Sequence, residues 1–260
     1  MRPLDALLLF GVGGFLLAVV VALAARKGRF SRDAFPSEGK RRAAMALLFL
    51  AFVSTVLVPA ASGTREVDTS RLRFPDVFLG QGLLLAFLCG WWLLSGRPSL
   101  PAYLALRTPR PWADAGAGLC LGLIGWGLTL VIGAVVAAVL ASLGMAGPSS
   151  IPPLVLWIAR LPWWQRGLLV LSAATLEEFY FRSFLQRRLG ILAASLFFVL
   201  SHGGYGDPLF FVGLSGITAV LAFAFRQTGS VVAPMVAHGT FNAVQLFLVL
   251  PTVLKVLEGK

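Results

Sequence analysis

Two adjacent carboxylates, Glu177 and Glu178, interrupt an apolar run in Leu176-Glu177-Glu178-Phe179-Tyr180-Phe181-Arg182. The only two histidines of the chain, His202 and His238, also lie inside apolar segments, and Asn242 follows His238 by four residues. At helical spacing His238 and Asn242 share a face, as do Glu178 and Arg182. The arginine can therefore neutralise one carboxylate, which leaves Glu177 as the less committed acid. A carboxylate and an imidazole that share one water can remove its proton. An imidazole and a carboxamide one turn apart can donate hydrogen bonds to the oxyanion formed when that water attacks an amide carbonyl. These are the parts of a hydrolase. Zinc is the competing chemistry, with Glu177, His202 and His238 as a two-histidine, one-carboxylate ligand set. The helix that places two histidines one turn apart is absent, and asparagine is an indifferent zinc ligand. The reading without metal or other cofactor ranks first.

The elements that hold these residues follow from apolar length. Of 260 residues 58% are hydrophobic and 13% charged, where a soluble domain has about half and about a quarter. A water-soluble fold is nearly excluded. A hydrocarbon core of about 30 Å takes roughly 20 helical residues. Eight segments meet or approach that length: Leu4 to Ala25, Ala43 to Ala61, Val77 to Leu94, Ala115 to Leu143, Gly167 to Leu185, Ile191 to His202, Pro208 to Phe225 and Val231 to Leu250. The expected fold is all-α, a polytopic membrane helical bundle of about eight transmembrane segments. Within this single integral membrane domain, residues 1–150 supply N-terminal helices of unassigned role and residues 151–260 the core that carries the chemistry. The sixth segment is too short to span. Either it forms a broken hairpin with the seventh, across Gly203-Gly204-Tyr205-Gly206-Asp207, or His202 marks where helix gives way to irregular backbone. Such backbone is tolerated at depth only beside protein or a water-filled cavity.

Charge gives the sidedness. There are 22 Lys and Arg against 11 Asp and Glu, a net +11. The basic residues lie between apolar runs, so they suit anionic lipid headgroups and not nucleic acid. The first segment reads as an uncleaved helix, since Arg26, Lys27 and Arg29 follow it. Alternation then puts thirteen Lys and Arg on the inner side and eight on the outer, with both termini outside. By a rise of 1.5 Å per residue, Glu177 lies ~14 Å, His238 ~16 Å, His202 ~18 Å and Asn242 ~22 Å from the inner ends of their segments. Three helices far apart in sequence thus bring these groups to one layer. Nine of the eleven acidic residues fall in loops or at segment ends, and only Glu177 and Glu178 lie at depth. There an ionisable group costs roughly 2.5 to 3.5 kcal/mol. Cys89 and Cys120, both in apolar stretches, form no metal framework. Gly118 and Gly122 predict close helix packing, and Pro152 to Trp164 an interfacial stretch with its aromatics at headgroup level.

Glu177-Glu178-x-x-x-Arg182, Phe198-x-x-x-His202 and His238-x-x-x-Asn242, in that order on successive apolar helices, resemble the three motifs of the CPBP intramembrane protease family, also called the CAAX protease or Abi family. The resemblance covers about the C-terminal 90 residues. It implies a membrane endopeptidase of the glutamate type, in which Glu177 and His202 activate water and His238 and Asn242 stabilise the oxyanion. Glu178 and Arg182 would be structural or substrate-orienting partners, with Phe198 in a packing role. Eukaryotic members carry a second histidine after the first; here the chain reads Gly203-Gly204-Tyr205-Gly206, which leaves prenylated-CAAX specificity unsupported.

The expected partners are the bilayer and a membrane-associated peptide or protein substrate. Arg-rich, Ala-rich, Lys-poor usage points to a GC-rich bacterium and hence its inner (cell) membrane. Other classes remain open. Glu177 could be the protonatable site of a proton-coupled carrier, though no inverted repeat is visible. The bundle could also be a catalytically silent scaffold. Each polar group has a structural alternative: an ion network for Glu177 and Glu178, a bond to a backbone carbonyl for His202, interhelical glue for His238 and Asn242. Tyr180 and Tyr205 fit either substrate contact or packing.

Overall fold

A computed structural model describes residues 3–30, 35–59, 68–144, 151–203, 208–257 and 259. Its regular structure is helical, with no strand among the described residues. The helices are α1 (Pro3–Arg26), α2 (Glu38–Phe52), α3 (Leu79–Leu94), the short α4 (Leu100–Tyr103), α5 (Pro111–Ser142), the short α6 (Pro153–Ala159), α7 (Trp163–Ser172), α8 (Arg187–Leu189), α9 (Ile191–Ser201), α10 (Pro208–Thr228), α11 (Val232–Ala243) and α12 (Leu250–Leu257). Stretches of wider π-helical turn continue α2 (Val53–Leu57), join α7 to α8 (Ala173–Glu177 and Phe179–Gln186) and join α11 to α12 (Val244–Val249). Eight rods result among the described residues, at the eight apolar segments of the sequence, and the sixth, α9, is short, with 11 residues. The expected last residues of the second segment, Ala60 and Ala61, lie outside the described residues.

Local chemistry sets the breaks. Ser37 caps α2 by accepting the Lys40 N–H, with Glu38 in the first turn. Pro111 begins α5 at a position whose N–H needs no partner. Gly190 separates α8 from α9 at φ +92°, a conformation open to glycine.

Phe74–Leu94, Pro111–Ser142, Phe210–Thr228 and Val232–Val256 are long and apolar enough to cross a bilayer. Leu119, Leu123, Ile124, Val131 and Val135 on α5 are all at least half exposed. An outward apolar face of that extent is stable in lipid, and the protein is integral to a membrane. Hydrogen bonds sort the loops by end. At one end Arg29 donates to the Arg187 carbonyl, Arg187 to Ala102, Ser183 to Leu104, and the Val231 N–H to Ala105. At the other, Arg166 donates to the Leu246 carbonyl and the Phe74 ring lies edge-on to Trp164. The basic loops that alternation assigns to one side therefore meet at one end.

Residues of the N-terminal half build the back of the core. Phe87 and Trp91 on α3 pack against Tyr180 and Phe184, with centroids 4.7 to 5.2 Å apart, and Phe52 packs against Phe197. Tyr180 is thus a core side chain, and Tyr205 lies outside the described residues. Helix α5 runs parallel to α11: a Cβ built on Gly118 would lie 2.5 Å from the Ala233 carbonyl oxygen, and one on Gly122 2.6 Å from that of Ala237. The two glycines do the packing work that their spacing predicts.

Substituting Gly122 by Leu should therefore push α5 off the helix that carries His238, lowering stability by about 1–3 kcal/mol or more. Gly116→Leu, where nothing lies within 4 Å, should be neutral. Thermal unfolding of the two variants in detergent checks the contrast.

Candidate active site

The Glu177-Glu178 pair sits where two π-helical stretches meet. Such turns recur at functional sites, and here the hydroxyls of Ser172 and Thr175 bond back to the carbonyls of Leu169 and Leu171 in the preceding turn. Neighbouring residues on a helix point in different directions, so the two carboxylates part company. Glu178 is fully buried. Its Oε2 accepts from Arg182 Nε at 3.0 Å, and its Oε1 from His238 Nδ1 at 2.9 Å. Glu177 turns the other way, and its Oε2 lies 3.8 Å from His202 Nε2.

The acceptors define the tautomers. His202 Nδ1 lies 2.8 Å from the Phe198 carbonyl, which can only accept, so Nδ1 carries a proton and the neutral ring presents Nε2 as a base. The same logic makes Nδ1 the donor of His238 toward the Glu178 carboxylate. Helix α9 places His202: its 11 residues span about 16 Å, half a bilayer core, so His202 follows a helix end at depth. The end abuts a cavity of about 410 Å³, lined among others by Glu177, Ser201, His202, His238 and Asn242. Irregular backbone at depth is tolerable in such a place.

Phe198 ties the groups together. The Arg182 guanidinium lies over its ring, 5.1 Å from the centroid, and the rings of His202 and His238 are 4.8 and 5.9 Å away. Glu177 Oε2 and both terminal nitrogens of Arg182 are buried without a hydrogen-bond partner.

The six residues singled out by sequence, Glu177, Glu178, Arg182, His202, His238 and Asn242, thus border one cavity or the ion pairs directly behind it. The arrangement refines the expectation. There are two carboxylate-imidazole pairs, and His238 is tied to Glu178 as well as facing the cavity. Among the described residues no three His, Cys, Asp or Glu side chains are grouped as metal ligands. Sequence reading passed over Gln81 and Gln245, which also line the cavity. Each is an uncharged polar residue in an apolar run, a signal that a search for charge does not pick up.

Comparison with known proteins agrees with the motifs. Residues 159–244, about a third of the chain, match the family model described as type II CAAX prenyl endopeptidase Rce1-like. The uncharacterized protein YpbD of Bacillus subtilis (strain 168) is 36% identical over 77 residues, 29% of this chain and 41% of that protein. The match therefore spans about two fifths of that relative's length. No solved structure matches.

Arg182→Met would leave the Glu178 carboxylate buried with one partner fewer. A loss of about 3–5 kcal/mol in stability is expected, and Glu178→Gln combined with Arg182→Met should recover part of it. Unfolding of the single and double variants in detergent measures the coupling.

Proposed function

We propose, taking as premise that residues 159–244 belong to the CAAX-endopeptidase type, that this protein is an intramembrane endopeptidase. Its substrate is a peptide bond in a membrane-associated peptide or protein, and its setting a bacterial inner membrane. Residues 151–260 carry the chemistry, and residues 1–150 brace it. The observation that carries the reading is the Glu177–His202 pair. Two acceptors 3.8 Å apart on a cavity wall suit a single water that donates one hydrogen to each. A water so held aims an oxygen lone pair away from both, toward a carbonyl carbon in the cavity.

The attack forms a C–O bond and sends the water proton to the Glu177–His202 pair. The former carbonyl oxygen becomes an oxyanion, for which His238 Nε2 and the Asn242 carboxamide are the donors. Because Nδ1 of His238 already donates to Glu178, donation from Nε2 requires the doubly protonated ring, and the Glu178 carboxylate supplies its counter-charge. Collapse of the oxyanion breaks the C–N bond, and the stored proton goes to the departing amine. Glu177 and His202 then return to their starting forms, and no metal or other cofactor enters these steps. Arg182 holds Glu178 against its own helix and does not meet substrate.

Glu177→Ala and His202→Ala should each lower cleavage at least a hundredfold, and Asn242→Ala about a hundredfold or more, with thermal unfolding near that of the parent chain. Mass spectrometry of membrane-protein termini from cells carrying the parent or the Glu177→Ala chain reads the effect directly. Identical termini in the two would overturn the proposal.

A further inference from the structure

The cavity has a second polar wall that lies outside the matched segment. Its residues are Ser54 and Thr55 beyond α2, and Gly80, Gln81 and Leu84 on α3. The hydroxyls of Ser54 and Thr55 are used within their own helix, on the carbonyls of Leu50 and Ala51. Gln81 is different: its Oε1 is buried with no hydrogen-bond partner. Gln245 complements it. Its Oε1 accepts the indole N–H of Trp126 on α5 at 3.2 Å. An indole N–H can only donate, so the carboxamide is held oxygen toward Trp126, and its amide nitrogen is the end left for the cavity.

A carboxamide group left unbonded in an apolar enclosure costs on the order of 1–3 kcal/mol, and packing requires neither residue to be polar. A peptide main chain offers what both lack: an N–H for Gln81 Oε1 and a carbonyl for the Gln245 amide. Gln245 lies three residues beyond Asn242, ~4.5 Å along a helix. An extended chain advances ~3.3 Å per residue. A carbonyl held at Gln245 therefore belongs to a residue one or two positions from the carbonyl held at Asn242.

We propose that Gln81 and Gln245 are peptide-positioning residues. Each hydrogen-bonds the main chain of an extended substrate segment flanking the scissile bond, and Trp126 orients Gln245. The inference rests on the endopeptidase reading and names its substrate form. Main-chain groups inside a helix are already bonded to one another, so the segment bound here is a chain end or a stretch that does not hold a helix, rich in Gly, Pro or β-branched residues. Selection is then by backbone availability, exerted by Gln81 from the N-terminal half and by Gln245, oriented by Trp126, from the C-terminal half.

The test uses the full chain in cells and follows a membrane-protein terminus that Glu177→Ala abolishes, while expression of the precursor is titrated. Gln81→Leu and Gln245→Leu should each reduce product about tenfold at low precursor, as expected for one lost hydrogen bond. Product should recover as precursor rises, with no fall in the unfolding temperature of Gln81→Leu, which replaces an unbonded buried carboxamide by an apolar side chain. Trp126→Phe should shift the curve in the same direction, by less. Where the Leu variant fails to accumulate, Gln81→Met replaces it. Curves that overlay the parent, or that lose plateau without shifting, overturn the positioning role and leave the endopeptidase reading intact. No terminus lost in Glu177→Ala would instead remove the endopeptidase reading, and the inference with it.

Discussion

The burial of Glu178 is the constraint on which the rest of the structure depends. A carboxylate with no exposed surface in an apolar layer is tolerable only when its oxygens are bonded to groups that offset its charge. Here one oxygen meets Arg182 and the other His238. The second of those bonds crosses to α11 and fixes the rotation of the 163–189 rod against it. Once that rotation is set, Glu177, one residue earlier on the same rod, has one direction left, into the cavity and toward His202. The stabilising ion network and the carboxylate that faces the cavity are therefore neighbours, and neither can be moved independently of the other.

The conspicuous residues were legible in the sequence because lipid is an unforgiving solvent. Glu177, Glu178, His202 and His238 stand out in an apolar run, where an ionisable group demands a reason. The helical bundle followed from apolar length, and the glycine contacts of α5 from spacing. The pairing was less accessible. That Glu178 bonds His238, sixty residues away, follows from rotation about helix axes, which spacing does not report. The π-helical turns left no periodic trace either, although their causes are local. Ser54, Thr55 and Thr175 bond back into the preceding turn, and Pro251 cannot donate to the carbonyls behind it. One carbonyl in that stretch, Leu246, is taken up by Arg166. By sequence Tyr180 fits both packing and substrate contact; its ring contacts with Phe87 and Phe184 place it in the core.

The N-terminal half carries no motif, yet its residues pack against the elements that carry the site. In lipid, apolar surface gains little from meeting other apolar surface, so helix association depends on close fit. Two devices supply it. The ring cluster of Phe87, Trp91, Tyr180 and Phe184 locks the rod bearing the two carboxylates from behind. The missing side chains of Gly118 and Gly122 let α5 settle against the backbone of the helix bearing His238 and Asn242. Residues of the first half thus back both the rod that carries Glu177 and the helix that carries His238.

The proposed hydrolysis needs water at a depth where water is scarce, and the short α9 bears on that need. A helix that crossed the whole bilayer would bond all its main-chain groups internally and present a dry surface. A helix that stops halfway ends in carbonyls that need partners other than the next turn; here those of Phe198 and Val199 accept from the Ser201 hydroxyl, His202 Nδ1 and the His202 N–H, which places a polar helix end on the cavity. It also orients His202, which follows that end with its Nδ1 held by the Phe198 carbonyl. In soluble hydrolases a buried carboxylate commonly orients the histidine in this way. Here a helix terminus does so, without placing a further charge in the bilayer. Glu177 is then left to face His202 Nε2. Lengthening α9 would thus remove in one change both the polar helix end on the cavity and the contact that orients His202.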